Sequence, residues 1–219
     1  MTSAFCRKVA RKLRLDPHDA GVDELADAAR GLAGGDRKAL LSTIEKALRR
    51  TRLDESTRQA AVKTTIALLP ESEGLIERTL DARARESDYE THFTMFCFLD
   101  VVQDIPAFQV VAHRIPRLVR RYLMGVRSDA ALAAWMAGDL LGDHWAGQEG
   151  LDVLREVLRK ARSPVGRRAA VHGLAHRMAA AKGESRRSIG AALGEASAQD
   201  RNEAVRSYAR RVLARTSTH

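Results

Sequence analysis

Apolar residues recur at steps of three and four along most of the chain, the spacing that puts them on one side of a helix. Five segments with this spacing, "DRKALLSTIEKALRR", "SEGLIERTLDARAR", "PAFQVVAHRIPRLVRRYLM", "GLDVLREVLRKAR" and "ESRRSIGAALGEAS", alternate with five others. The second set is "DESTRQAAVKTTIALLP", "SDYETHFTMFCFLDVV", "RSDAALAAWMAGDLLGD", "SPVGRRAAVHGLAHRM" and "DRNEAVRSYARRVLAR", starting near residues 54, 87, 127, 163 and 200. The resulting period of about 33–40 residues lies in the range of stacked helical repeats. Strand-like alternation of useful length and hairpin signals are missing from the pattern. The predicted fold is all-α: about five helix pairs in one continuous array over residues 36–219, preceded by a helical cap over 1–35.

Local signals mark the helix ends. Asp54, Ser87, Ser128, Ser163 and Asp200 stand where a side-chain oxygen caps the first turn of each second helix. Pro164 follows Ser163 at the first helical position, and Pro70 and the glycine near 142 close helices. Pro116 inside the third first helix is expected to bend or break it, because it lacks a donor and crowds the preceding turn. In "MTSAFCRKVARKLRL", Phe5, Val9 and Leu13 recur every four residues among basic ones. Such a stretch suits either an anionic membrane surface or packing as a first helix, and its shortness favours packing.

Composition agrees with helix: alanine, leucine and arginine abound, aromatics make up 5%, and 45% apolar with 30% charged residues suits a folded chain. The net charge of +9 directs attention to polyanions such as nucleic acid or an acidic protein. Arginine also covers helix surfaces with its stem, so the charge alone does not define a site. Cys6 and Cys97 are far apart and outside any ligand-spaced pair, which argues against a zinc framework, and Cys97 reads as core. The longest apolar runs fall short of the roughly 18–20 residues needed to span a bilayer, so no integral membrane association is expected. The first residues lack the apolar run of a secretory signal, and a cytoplasmic location is the expectation. "GLAGGD" at 31–36 lacks the lysine of a phosphate loop, and no cofactor is expected.

The stretch "AAWMAGDLLGDHW" holds both tryptophans, Trp135 and Trp145, with Asp139 and Asp143. Trp135, Asp139 and Asp143 share one helix face by their four-residue spacing. The apolar stripe runs through Leu132, then Trp135 or Met136, then Leu140. If Met136 is the inward residue, Trp135 turns to the surface beside Asp139. His172 and His176 are also four apart, but no third ligand is spaced for them, so no metal site is expected. Basic clusters gather at Arg114, Arg117, Arg120 and Arg121, from Arg159 to Arg168, and at Arg206, Arg210, Arg211 and Arg215. Repeated along an array they suit a phosphate backbone or an acidic protein.

"DRNEAVRSYARRVLA" resembles the second helix of a HEAT-like repeat in its aspartate, valine-arginine, alanine and leucine, here Asp200, Val205, Arg206, Ala209 and Leu213. "GRRAAVHGL" and "STRQAAVKTTIALL" resemble it more loosely, placing Arg168 and Arg58 near the position of Arg206, while "DYETHFTMFCFL" lacks that arginine. The resemblance covers roughly residues 36–217 and implies a right-handed α-solenoid with the second helices on its concave face. More distantly, Trp135 with Asp139 four residues on, followed by Arg167-Arg168-Ala169-Ala170, resembles the HEAT-like bacterial alkylpurine DNA glycosylases. That resemblance implies an aspartate stabilising positive charge on the sugar, a tryptophan against the nucleotide and an arginine on phosphate. A further tryptophan of that family, in its last repeat, has no counterpart, and the stretch around Tyr208 and Arg210 stands there.

The expected function is a non-catalytic HEAT-like binding module with a basic surface for an acidic protein or nucleic acid. Its binding residues would be Trp135, Trp145, Arg117, Arg120, Arg121, Arg167, Arg168, Arg206 and Arg210. The alternative is a glycosylase removing alkylated purines, with Asp139 as the catalytic residue.

Overall fold

Every one of the ten predicted segments overlaps an α-helix in a computed structural model of the chain, which describes residues 4–49, 53–80, 88–103, 108, 114–144 and 147–216. Two further helices precede them, and among the described residues there are twelve α-helices and no strand. No helix among these residues is long and apolar enough to cross a membrane. The described residues fall into two compact units, one running to residue 108 and the other starting at residue 114.

The first unit holds α1 (Ala4–Leu13), α2 (Val22–Arg30), α3 (Gly34–Leu48), α4 (Glu55–Ala67), α5 (Glu73–Thr79) and α6 (Tyr89–Val102). Phe5, Val9 and Leu13 are buried, and α1 lies against α2, α3 and α4, so the amphipathic first helix is packed inside its own unit. Asp54 caps α4 by accepting a hydrogen bond from the Thr57 amide at 2.9 Å. Lys63 of α4 reaches back to donate to the carbonyls of His18 and Ala20, tying the turn after α1 to the fourth helix.

The second unit holds α7 (Ile115–Gly125), α8 (Ala131–Asp139), α9 (Gln148–Lys160), α10 (Pro164–Ala180), α11 (Gly183–Gln199) and α12 (Glu203–Thr216). A π-helical turn, Leu140–His144, continues α8. Within this unit first helices touch first helices, α7 to α9 and α9 to α11, and second helices touch second helices, α8 to α10 and α10 to α12. Helix α10 is the hub, in contact with all five others, and it buries Ala169, Ala170, Val171, Leu174 and Met178. Removing a side chain of valine to methionine size from water contributes roughly 1.5–3 kcal/mol.

Pro116 sits in the first turn of α7, where the missing donor costs nothing, and residues 109–113 before it lie outside the described set. Ser163 caps α10 through the Val165 amide, as its position predicts. Asp200 does not cap α12: Asn202 accepts from the Ala204 and Val205 amides, and Asp200 turns its carboxylate inward to Arg167. Helix α8 starts without a side-chain cap after Ala130, so Ser128 is not used, and Ser87 lies outside the described residues.

The apolar stripe of α8 also departs from expectation. Its inward residues are Ala133, Ala134, Ala137 and Gly138, whereas Leu132 is 65% exposed and Trp135 and Met136 are both half-buried. Small residues face α10 because the two backbones nearly touch. A Cβ on Gly138 would stand 2.4 Å from the Ala169 carbonyl oxygen, one on Gly142 2.9 Å from Gly173 Cα, and one on Gly173 2.5 Å from the Gly138 oxygen. Such distances leave no room for a methyl group without moving backbone.

Gly173→Ala is therefore expected to destabilise the protein by about 1–3 kcal/mol through overpacking. Gly194→Ala, in α11 where an added Cβ meets nothing within 4 Å, is expected to be neutral or to gain up to about 1 kcal/mol from helix propensity. Urea midpoints at constant m-value check both.

Candidate functional site

The close approach of α8 to α10 puts the polar face of one helix directly against that of the other. Trp135 stacks on the His172 ring, centroids 3.7 Å apart and planes 28° apart. One turn further along, Asp139 Oδ1 stands 2.5 Å from His172 Nε2 and 3.5 Å from His176 Nε2. Asp143, on the π-helical turn, accepts a hydrogen bond from His176 Nδ1 at 2.7 Å. Because a carboxylate only accepts, that bond fixes the proton on Nδ1 and leaves Nε2 bare in the neutral ring. The Nδ1 of His172 shares a 2.9 Å hydrogen bond with the Tyr208 hydroxyl of α12.

Asp139 Oδ1 is buried and has no hydrogen-bond partner. Tyr208 completes an aromatic group, its ring 5.4 Å from that of Trp135. Two guanidinium groups approach the Tyr208 ring, Arg168 at 6.0 Å and Arg211 at 5.7 Å from its centroid, a cation–π distance. Burial pushes the Tyr208 phenol above its ordinary value, with the Asp139 carboxylate adding to the rise and Arg168, Arg215 and Arg211 opposing it. Beside these residues runs an open groove of about 570 Å³ lined by His172, His176, Tyr208, Arg211 and Arg215.

Of the candidate residues, Trp135 and Arg168, expected to bind, and Asp139, the catalytic residue of the alternative, are brought together here. Trp145 lies outside the described residues. Arg167 is elsewhere and fully engaged: it is 3% exposed, forks onto Asp200 at 2.7 and 3.0 Å, and donates to the carbonyls of Ala161 and Arg162. It joins α10 to the turn between α11 and α12 and serves as an internal staple rather than a surface contact. Arg120 forks onto Glu156 of α9, and with Lys160 holds that carboxyl down at about 2. Arg206 and Arg210 both bond to Glu203 on their own helix, while Arg117 and Arg121 are exposed on α7, which carries none of the aromatic group.

The sequence pattern did not select Tyr208 and Arg211 as binding residues, and it left His172 and His176 without a third ligand. Asp139 is that neighbour, contributed by the preceding second helix. The signal was the spacing of the sequence pattern: His172 and Tyr208 are 36 residues apart and Asp143 and His176 are 33 apart, within the period of about 33–40 residues read from the sequence. A second groove, of about 600 Å³, is lined by Arg155, Arg159, Arg162 and Arg201 together with Glu195 and Asp200. No family model, curated protein or solved structure matches the chain.

Removing one member of a buried pair strands the other. Arg167→Ala is expected to cost about 3–5 kcal/mol, whereas Arg210→Ala, which breaks an exposed pair, should leave stability nearly unchanged. Chemical denaturation of the two variants separates staple from surface charge.

Proposed function

We propose that this chain is a module of HEAT-like helix pairs, stacked as an α-solenoid, that binds nucleic acid through the face formed by α8, α10 and α12. The observation that carries the reading is the approach of both Arg168 and Arg211 to the Tyr208 ring, next to the half-buried Trp135. Guanidinium groups supply charge-assisted hydrogen bonds to phosphate, and aromatic rings beside them offer a surface for a sugar or an unstacked base. The excess of nine positive charges gives the same partner a long-range attraction. Four arginines that the sequence pattern assigns to a surface track, Arg120, Arg167, Arg206 and Arg210, have carboxylate partners. Binding is therefore assigned to the α10–α12 face instead of a continuous ridge.

A glycosylase acting on alkylated purines is the second reading, favoured by the convergence of Trp135, Asp139 and Arg168, with Tyr208 where that family carries its further tryptophan. The position of Asp139 weighs against it. Its Oδ1 faces two histidines rather than a space where a sugar would sit.

Binding of a short labelled duplex, followed by anisotropy between about 50 and 200 mM salt, tests the first reading. Arg168→Ala and Arg211→Ala are each expected to weaken binding across sequences and to reduce the salt slope by about one. An acidic peptide that binds while duplex and single strand do not, even at low salt, would transfer the face to a protein partner. Release of 3-methyladenine from alkylated DNA, lost in Asp139→Asn, would establish the enzyme.

A further inference from the structure

We propose that Asp139, His172 and His176 form a binding site for one divalent transition-metal ion of the zinc, cobalt or nickel class. The inference is independent of nucleic-acid binding and would stand if that reading failed.

One carboxylate oxygen and one nitrogen from each imidazole lie within 4.8 Å of one another. They come from two helices whose separation is fixed by backbone contact at Gly138, Gly142 and Gly173, so the spacing does not depend on loops. With metal–nitrogen and metal–oxygen bonds of about 2.0–2.2 Å, tetrahedral donors sit roughly 3.3 Å apart. The two Nε2 to Oδ1 distances of 2.5 and 3.5 Å lie on either side of that figure. A shift of less than about 1 Å at His172 would bring its distance from Asp139 to that figure.

Orientation distinguishes the arrangement from a plain ion pair. A histidine paired with a carboxylate points its N–H along the line to the oxygen. Here both Nε2 atoms stand beside the same oxygen, yet neither makes a hydrogen bond to it, and that oxygen is buried. A buried carboxylate oxygen left without a hydrogen bond between two imidazole nitrogens stands where a metal ligand would, rather than where a hydrogen-bond partner would.

The outer nitrogens supply an independent observation. Histidines that ligate a metal donate or share their other ring nitrogen with a carboxylate, carbonyl or hydroxyl, which fixes tautomer and ring plane. Asp143 does this for His176 and Tyr208 for His172, and Trp135 stacks on the His172 ring and limits its rotation. Both Nε2 atoms are thereby the ones presented to Asp139. A ligand set of two imidazoles and one carboxylate suits zinc, cobalt, nickel or iron, and not magnesium or calcium, which take oxygen donors. Both histidines line the open groove, which gives an ion a path from solvent. Three protein donors leave at least one coordination position for water or an anionic ligand.

The test is a titration of chelator-treated protein with Co²⁺, read by its visible absorption, followed by displacement with Zn²⁺ in competition with a chromophoric chelator. One ion per chain is expected. Asp143→Asn, a change on a half-open carboxylate, should weaken binding by about 10- to 100-fold, as loss of a ligand's hydrogen-bond partner does elsewhere. His172→Ala and His176→Ala should each weaken it further still. His18→Ala should leave it intact, since the His18 ring sits with the Cys6 thiol and Ser56 in the other unit. Zinc should also raise the unfolding temperature of the wild type and not that of the His172→Ala/His176→Ala variant. Wild-type protein that takes up no cobalt or zinc overturns the proposal. So does a double-histidine variant of wild-type helical content that binds the ion as tightly as the parent.

Discussion

The arrangement in the second unit rests on a backbone contact. Helix α10 and the continuous stretch of α8 and its π-helical turn approach until Gly138, Gly142 and Gly173 leave no room for a methyl group between them. A wider separation, set by leucines, would hold the facing rings and carboxylates beyond hydrogen-bond reach. At this separation Trp135 lies flat on His172, and Asp139 stands against both histidines. Packing and polar chemistry are thus two sides of one contact: glycines and alanines on the inner side, stacking and charge on the outer. The alanine-rich stretch that gives α8 its weak amphipathic pattern is what permits the approach.

Positive charge in this unit falls into two classes, set by burial. Arg167 and Asp200, both nearly inaccessible, join α10 to the start of α12, and Arg167 closes two further carbonyls of the turn before α10. Such a pair contributes geometry more than net stability, because each ion loses water on burial. At the surface, Arg120 with Glu156 and Arg206 with Glu203 are exposed or half-exposed pairs whose contribution is small. Arg168 and Arg211 differ in the neighbour they share, an aromatic ring, which attracts cations without neutralising them.

Much of the fold was legible because helix periodicity is a local property. The spacing of apolar residues, Asp54 and Ser163 as caps, and Pro164 at a helix start each act within a few residues. Where a residue has a competing distant partner, local reading failed. Asp200 has the chemistry of a cap, but Arg167, 33 residues earlier, takes its carboxylate, and Asn202 caps instead. Leu132 looks inward by spacing, yet the glycine contact turns the helix so that small residues face α10. The site was half-visible for the same reason. Trp135 with Asp139, and His172 with His176, are pairs within single helices. Their union, and the place of Tyr208 beside them, depends on the register between α8, α10 and α12, helices distant in sequence.

The π-helical turn has a consequence for the two aspartates of this stretch. A helix that widens by one residue changes its angular progression at that point, so residues before the turn and residues after it belong to different rotational frames. Asp139 is the last residue of the α-helical frame and Asp143 lies within the wide turn, although sequence spacing alone puts both on one line. Loss of a single residue between 140 and 144 would merge the frames and rotate the later residues by about 100°. The chain could keep Trp135 and Asp139 in place through such a change, but the support of His176 by Asp143 would not survive it.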